Sequence, residues 1–175
     1  LLLLNKTLTF PHNLGEGKLP TIYDTISYYY LGKTYEVLGD IEKATHYFEM
    51  AVEPNIVPES ALYYHDQPSD TIFYQGLAHE ALGNTKKATA CYFSLVVFGE
   101  KHFHDEVTYD YFAVSLPITN VFDKNMSEEH RVYCEYLLAL GKIGLGNNKK
   151  GKELLETILA LTPNHQGAIR HMNLL

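Results

Sequence analysis

Apolar residues recur every three to four positions along most of the 175-residue chain, which is the period of an amphipathic helix. The pattern predicts helices over residues 21–38, 41–53, 70–82, 85–99, 128–145, 149–161 and 164–173. Asp105 is a candidate cap for a further short helix that ends at about Ser115, before Pro117. Three prolines between residues 54 and 68 predict a loop with one helical turn around 60–64.

Individual residues mark the ends of three of these helices. Ser69 and Ser127 are candidate N-caps, and Glu128 and Glu129 suit the positive end of the helix that Ser127 begins. Gly99 is the predicted stop of the helix that starts at residue 85.

The helices form pairs that repeat a fixed spacing of small residues. The stretch "YYYLGKTYEVLGDIEKATHYFEMA" (28–51) matches "IFYQGLAHEALGNTKKATACYFSL" (72–95) at two glycines, one alanine and one aromatic residue. A third stretch, "EYLLALGKIGLGNNKKGKELLETILALTP" (135–163), aligns on the second glycine. The repeated positions are Gly32, Gly39, Ala44 and Phe48 in copy one, Gly76, Gly83, Ala88 and Tyr92 in copy two, and Ala139, Gly146, Gly151 and Leu155 in copy three.

Each copy predicts a helix, a turn and a second helix. The turn glycine can adopt the left-handed conformation that ends the first helix, and the polar residue after it (Asp40, Asn84, and Asn147 or Asn148) caps the second. The small residues let the two helices approach closely. Because such a hairpin cannot bury its apolar face alone, the copies are expected to stack.

The three copies resemble the tetratricopeptide repeat (TPR). Copy two departs from its usual Leu and Tyr with Gln75 and His79, and copy three lacks the first glycine and the aromatic residue. The resemblance implies an all-α, TPR-like solenoid of helical hairpins, with residues 1–175 as a single domain. It places repeats at about 25–58, 69–102 and 132–165, irregular insertions at about 54–68 and 99–127, and a capping helix at 164–173.

Shorter stretches ("NLGEGKLP", "YYHDQPSD", "GEKHFHDEV" and "PNHQGA") resemble the C-terminal repeat region of long bacterial proteins. The N-terminal part of those proteins is an uncharacterised β-rich domain of the kind seen in sugar-handling proteins. The resemblance implies a neighbouring domain for this chain but no activity within it. Because the chain opens without Met, in "LLLLNKTLTFP", we expect it to be part of a longer protein.

The charge balance argues against nucleic acid as a partner. Lys and Arg number 14 against 21 Asp and Glu, for a net charge of −7, whereas phosphate binding needs clustered basic residues. No run of about 18 apolar residues occurs, which argues against a membrane span. Cys91 and Cys134 belong to no spaced zinc set, so we expect reduced thiols and a cytoplasmic location.

The stretch "GEKHFHDEVTYDYF" (99–112) is a candidate for metal or acid–base chemistry. It contains His102 and His104, and its Glu106 and Asp110 stand at the spacing of one helical face. A zinc site needs three or four converging ligands, however, and no motif of fixed ligand spacing is present. We interpret the cluster as a helix cap with loop residues around it.

The stretch "YYHDQPSD" (63–70) is a second polar cluster. His65 and Asp66 could form an oriented imidazole pair, but no convincing Ser or Cys nucleophile accompanies them. We interpret this cluster as turn and capping residues, and "GEGK" (15–18) as an ordinary loop without the spacing of a phosphate loop. We therefore predict no catalytic residue, metal or cofactor.

In the tetratricopeptide family the first helix of each repeat lines a concave groove. Carried onto this chain, the groove positions are Tyr29, Lys33 and Glu36 in copy one, Phe73, Leu77 and Glu80 in copy two, and Tyr136, Leu140 and Ile143 in copy three. An aromatic residue begins each set, which suits a peptide with apolar anchors. The alternative is that these aromatic residues pack against the insertions. With Lys33 as the single cation, the groove does not match those that bind C-terminal carboxylates.

We predict a non-catalytic scaffold that binds protein or peptide, either another chain or its own N-terminal domain, and we leave a homodimer open. The rival interpretation is an accessory to an enzyme, in which residues 54–68 and 99–126 help to shape a carbohydrate site on a neighbouring β-rich domain. That role requires the two insertions to lie together on one edge. The least favoured alternative is a metal-dependent hydrolase built on His65, His102 and His104.

Overall fold

The computed structural model describes residues 1–15, 17–18, 22–54, 56–60, 67–107 and 125–175. Within these residues every regular element is helical. The α-helices are α1 (Leu2–Thr7), α2 (Thr25–Val37), α3 (Ile41–Val52), α4 (Thr71–Ala81), α5 (Thr85–His102), α6 (Met126–Gly144), α7 (Asn148–Leu161) and α8 (Gln166–Met172), and His12–Leu14 form a short 3-10 helix. The described part of the chain is therefore all-α, as predicted.

The predicted end of one helix is wrong. The sequence predicts a stop at Gly99, but α5 continues to His102. Gly99 is instead the point where α5 lies against α6, since a Cβ there would stand 2.6 Å from the Cys134 carbonyl oxygen and 2.9 Å from the Leu138 side chain. The glycine serves close packing between two helices rather than a helix end.

The residue predicted to cap α6 has a different partner. α6 begins at Met126, and the Asn125 side chain caps it by accepting a hydrogen bond from the Glu128 N–H at 3.2 Å. The predicted cap, Ser127, instead accepts a hydrogen bond from the Val107 N–H at 3.1 Å. The cap of this helix therefore lies two residues earlier than its sequence predicts.

Asp105 interacts with the helix before it. Its Oδ2 lies 2.7 Å from His102 Nδ1, and residues 105–107 are not helical. The rest of the predicted short helix, residues 108–115, lies outside the described part of the chain, as do residues 61–64 of the predicted turn. The prediction that Asp105 begins a helix is thus wrong for the three residues that test it.

Three tight turns join α2 to α3, α4 to α5 and α6 to α7. The turn glycines have left-handed φ angles of +79° at Gly39, +74° at Gly83 and +82° at Gly146. In each turn the glycine N–H bonds back three residues and the next N–H bonds back five, as in Gly39 to Glu36 (3.1 Å) and Asp40 to Tyr35 (3.0 Å). This pair of hydrogen bonds ends the first helix and reverses the chain, which confirms the predicted role of the glycines.

Side-chain caps follow two of the three turns. Asp40 accepts a hydrogen bond from the Lys43 N–H at 3.2 Å, and Asn147 accepts one from the Lys150 N–H at 3.2 Å. Asn84 occupies the N-cap position of α5 but makes no capping hydrogen bond with its side chain. The predicted caps are therefore confirmed for α3 and α7.

Aromatic rings pack on glycine inside the first two hairpins. Phe48 of α3 lies on Gly32 of α2, and Tyr92 of α5 lies on Gly76 of α4, so closely that a Cβ on either glycine would overlap the ring. In the third hairpin the close contact is made by a glycine of α7, Gly151, which lies against α6. Each hairpin thus owes its short helix-to-helix distance to a residue without a side chain.

Each helix from α2 to α8 packs on its neighbours in the chain, and α2 with α4, α4 with α6, and α6 with α8 are also in contact. The core follows these contacts. Its fully buried large side chains include Ile72, Tyr74, Tyr92, Leu95, Leu137, Leu140, Leu155 and Ile158. A smaller cluster of Ala44, Phe48, Ala51 and Ala78 joins the first hairpin to α4.

Tyr92 links the second hairpin to the third. Its ring is 1% exposed and lies between Gly76 of α4 and Gly144 of α6, where a Cβ from either side would overlap it. Its main-chain carbonyl oxygen also lies against Gly141 of α6. Three helices therefore meet at this one residue.

We predict that Gly144→Ala lowers the free energy of unfolding by about 1–3 kcal/mol, because the added methyl group must displace a buried ring that is also packed against Gly76. Chemical denaturation followed by circular dichroism measures the loss. Gly17→Ala is the control, since a Cβ at Gly17 meets nothing within 4 Å. The cost should shrink in a Tyr92→Leu background, and an equal cost in both backgrounds would contradict the role of the ring.

Candidate functional site

The nine predicted groove residues divide into an open and a covered group. The first group, which we call the open groove residues, is at least partly exposed and comprises Tyr29, Lys33, Glu36, Leu77, Glu80 and Ile143. Phe73, Tyr136 and Leu140 are buried, with 5%, 4% and 0% of their surfaces exposed. These positions therefore do not form an open groove lined by three exposed aromatic residues. Partner binding at the open positions stays a prediction.

α8 covers two of the buried positions, Phe73 and Tyr136. The His171 ring centre stands 5.4 Å from that of Phe73 and 5.7 Å from those of Tyr74 and Tyr136. We call the surface beneath it, formed by Asp70, Phe73, Tyr74 and Tyr136, the α8 seat. The predicted alternative for these aromatic residues is packing against the insertions, whereas Phe73 and Tyr136 pack against the C-terminal helix.

Hydrogen bonds at both ring nitrogens hold His171 in the α8 seat. Its Nδ1 lies 2.8 Å from the Gly167 carbonyl oxygen, which can only accept, so Nδ1 carries the proton. Nε2 then accepts the hydrogen bond that the Tyr74 hydroxyl donates at 3.1 Å. The Tyr136 hydroxyl, 3.1 Å from Nδ1, donates to Asp70 Oδ2 at 3.4 Å. One buried imidazole is thus held by groups from α4, α6 and α8.

Small residues of α8 make this close approach possible. A Cβ at Gly167 would overlap the Tyr136 hydroxyl, and Ala168 is fully buried. His165 caps the helix, because its Nδ1 accepts from the Ala168 N–H at 3.0 Å, and its ring centre lies 4.8 Å from that of Tyr136. The contact face of α8 therefore consists of glycine, alanine and imidazole rather than large aliphatic side chains.

Burial favours the neutral forms of the groups in the α8 seat. It lowers the pKa of His171 below 6.5 and raises the pKa of the Tyr74 and Tyr136 hydroxyls above 10.0. The Asp70 carboxylate opposes the lowering of the His171 pKa, and the Arg170 guanidinium adds to it. The imidazole is consequently neutral near pH 7, as the hydrogen bond from Tyr74 requires.

Among the open groove residues, Tyr29 interacts with two others, Glu36 and Glu80. Its ring centre lies 5.4 Å from that of Tyr30, and burial, followed by Tyr30 and the carboxylates of Glu36 and Glu80, raises the pKa of its hydroxyl to about 12. Lys33 forms an ion pair with Glu36. The open face thus offers a neutral phenol, apolar surface and an excess of carboxylate over amine.

The described ends of the two insertions meet on the first half of α6. The Tyr133 hydroxyl lies 2.8 Å from the Glu59 carbonyl oxygen and 2.7 Å from Ser69 Oγ, both in the first loop. From the second, the His102 carbonyl oxygen accepts a hydrogen bond from His130 Nε2 at 3.0 Å. Ser69 is therefore bound to α6 and does not cap α4 as predicted. For the described residues, both insertions lie at the same edge.

A cavity of about 720 Å³ opens beside this edge, between α6 and the end of α7. Its described lining includes Tyr133, Leu161 and three glutamates, Glu128, Glu129 and Glu135, against one guanidinium, that of Arg131. Burial raises the pKa of Glu135. The cavity is therefore acidic with an aromatic wall.

The histidines of the first polar cluster have structural partners. His102 pairs with Asp105, and this hydrogen bond lowers the pKa of the carboxyl group. The His104 ring lies 5.0 Å from that of Phe103 on the surface. No group of three or more His, Cys, Asp or Glu could hold a metal ion within the described residues. The cluster residues that lie outside them are His65, Asp66 and Asp110.

The remaining candidate motifs also have structural roles. Cys91 and Cys134 are free thiols, and although Cys134 Sγ lies 3.4 Å from His130 Nε2, burial raises the pKa of that thiol to about 11. A thiol with so high a pKa is a poor nucleophile near pH 7. In "GEGK", Lys18 forms an ion pair with Asp24, which leaves it no free amine for a phosphate.

The sequence does not predict that the residues of the α8 seat lie together. Tyr74 and His171 lie 97 positions apart, and no local pattern joins them. The available signal lies within "HQGAIRHM", where Gly167 and His171 are four residues apart and so share one face of a helix. A polar residue and a glycine on the inner face of a capping helix indicate a specific contact.

We expect the free energy of unfolding to fall as the pH is lowered below 6.5, the pKa of an unperturbed imidazole. The pKa of His171 is lower in the folded chain, so the unfolded chain binds more protons in this range and acid favours it. Asp70 at the N-cap of α4, Tyr74 of α4, Tyr136 of α6, and His165 and Arg170 act on this imidazole and are present in both variants. Urea denaturation at several pH values should show a weaker pH dependence for His171→Gln than for the exposed control His12→Gln. Equal pH dependence in the two variants would contradict this role of His171.

We predict that Tyr133→Phe lowers the free energy of unfolding by about 1 kcal/mol and accelerates amide exchange in residues 56–60, because the hydroxyl joins that loop to α6. Hydrogen exchange followed by mass spectrometry measures the second effect. Tyr23→Phe removes a more exposed hydroxyl and serves as the control. If both variants exchange alike in 56–60, contacts other than the Tyr133 hydroxyl hold the loop.

None of the described helices is both long and apolar enough to cross a membrane. Comparison with protein-family models finds no match for the chain, and comparison with solved structures finds no significant one. Neither comparison therefore identifies a family.

Proposed function

We propose that the chain is a non-catalytic protein-interaction module, built as a TPR-like solenoid of three helical hairpins. The observation that carries the proposal is the repetition of one contact pattern. Each hairpin closes on a left-handed glycine, and the first helices of successive hairpins touch along one side. Repeats of this kind place equivalent side chains at regular intervals, which is the usual basis of an extended binding surface.

The open groove residues suggest the chemistry of the partner. Glu36 and Glu80 supply two carboxylates, of which Glu36 is already paired with Lys33, and Tyr29 and Leu77 supply apolar surface between them. A peptide with an apolar anchor and a basic neighbour is complementary to such a face. The proposed partner is another protein or the N-terminal domain of a longer chain, and the proposed location is the cytoplasm.

The structural partners of three imidazoles favour a binding role. The imidazoles of His102, His130 and His171 are held by a carboxylate, a main-chain carbonyl and two phenols respectively. Catalysis needs such a group within reach of a substrate, and His130 and His171 are buried.

A second candidate function is support for a carbohydrate-active or sugar-binding domain of the same chain. The observation that favours it is the meeting of both insertions on the first half of α6, at Tyr133 and His130, next to the acidic cavity. In that role the edge formed by α6 and the insertions, rather than the open groove, contacts the neighbouring domain. The two candidates therefore differ in which face of the molecule is occupied.

We predict that immobilised chain retains a specific protein from the source cells, and that reversing the groove charges with Lys33→Glu and Glu80→Lys releases it. The loss should be at least tenfold in retained protein, because Glu80→Lys places an amine where the basic residue of the partner meets a carboxylate, while Lys33→Glu keeps the net charge unchanged. Quantitative mass spectrometry of the bound fraction measures it. Both groove side chains are exposed, so the fold should survive, and circular dichroism checks that.

Two further variants of unchanged net charge act as controls. Glu42→Lys with Lys86→Glu reverses exposed charges on α3 and α5, and Glu128→Lys with Arg131→Glu reverses a pair beside the cavity. A protein lost only from the groove variant supports the interaction module. A protein lost only from the cavity variant supports the accessory role instead. Equal retention by all variants would overturn both.

A further inference from the structure

α8 depends on the α8 seat for its structure. It has seven residues, and an isolated helix of that length is unstable in water, so its order comes from docking. One face of it is buried through Ala168 and His171, while Ile169 is exposed and the exposed Arg170 side chain still reaches the Tyr74 hydroxyl. A short helix held by one face can be exchanged for another helix that presents the same groups.

The seat selects that face by hydrogen bonding. The Tyr74 hydroxyl needs an acceptor, and the Tyr136 hydroxyl, shared with Asp70, lies against the other nitrogen of the imidazole. A neutral imidazole has one donor and one acceptor on opposite edges of a small ring, which suits both positions. An aliphatic side chain at the same place would leave the fully buried Tyr74 hydroxyl without its acceptor.

The seat also selects by shape. One turn before His171, the Tyr136 hydroxyl leaves no space for a Cβ, so the residue there must be glycine. The next residue, Ala168, is fully buried and so must be small. Together these contacts specify a helix with the pattern Gly-Ala-x-x-His, in which the first intermediate side chain is exposed and the second, Arg170 in α8, interacts with the Tyr74 hydroxyl.

We propose that the α8 seat is a recognition site for a partner helix that carries glycine followed four residues later by histidine, and that α8 is its resident occupant. The inference rests on the proposed function, since it assigns a partner class to the buried part of the same groove. A capping helix needs only an apolar face to cover a stack. The seat instead supplies directional contacts through Asp70, Tyr74 and Tyr136, which discriminate between helices.

The short connection between α7 and α8 favours α8 over a partner helix in binding to the α8 seat. Four residues, 162–165, join it to α7, and a short tether gives an effective concentration on the order of millimolar. A partner helix therefore binds only in proportion to the fraction of molecules in which the seat is vacant. Weakening the docking of α8 should raise the apparent affinity for a helix added in trans.

The test uses a fluorescein-labelled peptide of residues 162–175, "TPNHQGAIRHMNLL", titrated with the full chain at about pH 7.5, where the imidazole is neutral. Fluorescence anisotropy measures binding. The His171→Ala chain, whose own α8 has lost its imidazole, should bind the peptide at least about ten times more tightly than the unsubstituted chain. Circular dichroism and hydrogen exchange establish that its other helices remain folded.

Peptide variants identify the contacts without disturbing the protein. Gly167→Ala and His171→Ala peptides should each lose at least about tenfold in affinity for the His171→Ala chain, whereas Ile169→Ala should match the parent peptide because that side chain is 37% exposed. Equal binding of all four peptides, or no gain in the His171→Ala chain, would overturn the proposal. If the unsubstituted chain dimerises and His171→Ala abolishes the dimer, the seat binds a second copy of the chain, and the proposal is overturned as well. If the peptide assay fails but the groove variant still loses its bound protein, this inference is wrong and the proposed interaction module remains supported.

Discussion

Contact between an aromatic ring and main chain that lacks a Cβ fixes the distances between the helices. Tyr92 of α5 lies against both Gly76 of α4 and Gly144 of α6, so this one ring sets how closely the three helices approach. Ring and backbone in direct contact gain dispersion energy that a methyl group between them would prevent. Because α6 takes its position from this contact, the side chains it carries towards the two candidate sites, Tyr133 and Tyr136, depend on it as well.

The stack brings together groups that are far apart in the chain and then makes their contacts directional. Apolar contacts alone would let α8 slide along the first helices, since the hydrophobic effect has no preferred direction. Hydrogen bonds from Tyr74 and to Gly167 fix the His171 ring at one place, because they weaken steeply with angle. The same distinction separates the open groove residues, which offer charge and apolar surface, from the α8 seat, which offers defined donors and acceptors.

The helices, the turns and their glycines are predictable from the sequence because they rest on local chemistry: helical period, a left-handed φ and a capping side chain. Gly99 is misread because a glycine that ends a helix and one that lets two helices touch look alike until the second helix is placed. The burial of Phe73 and Tyr136 could not be predicted for a similar reason. It depends on where α8 lies, which is decided by contacts such as that between Tyr74 and His171, 97 positions apart.

The use of tyrosine in the core explains why a polar residue sits on the inner face of the last helix. The chain has 14 Tyr and no Trp, and the hydroxyl of a buried tyrosine usually has a hydrogen-bond partner. Tyr74 is fully buried, so whatever covers it must accept a hydrogen bond, and His171 does. Losing that acceptor costs about 1–3 kcal/mol, while ordering the seven residues of α8 costs conformational entropy. The docking of α8 is thus the balance of opposing terms, and the hydrogen bond to this imidazole is one of the terms that favour it.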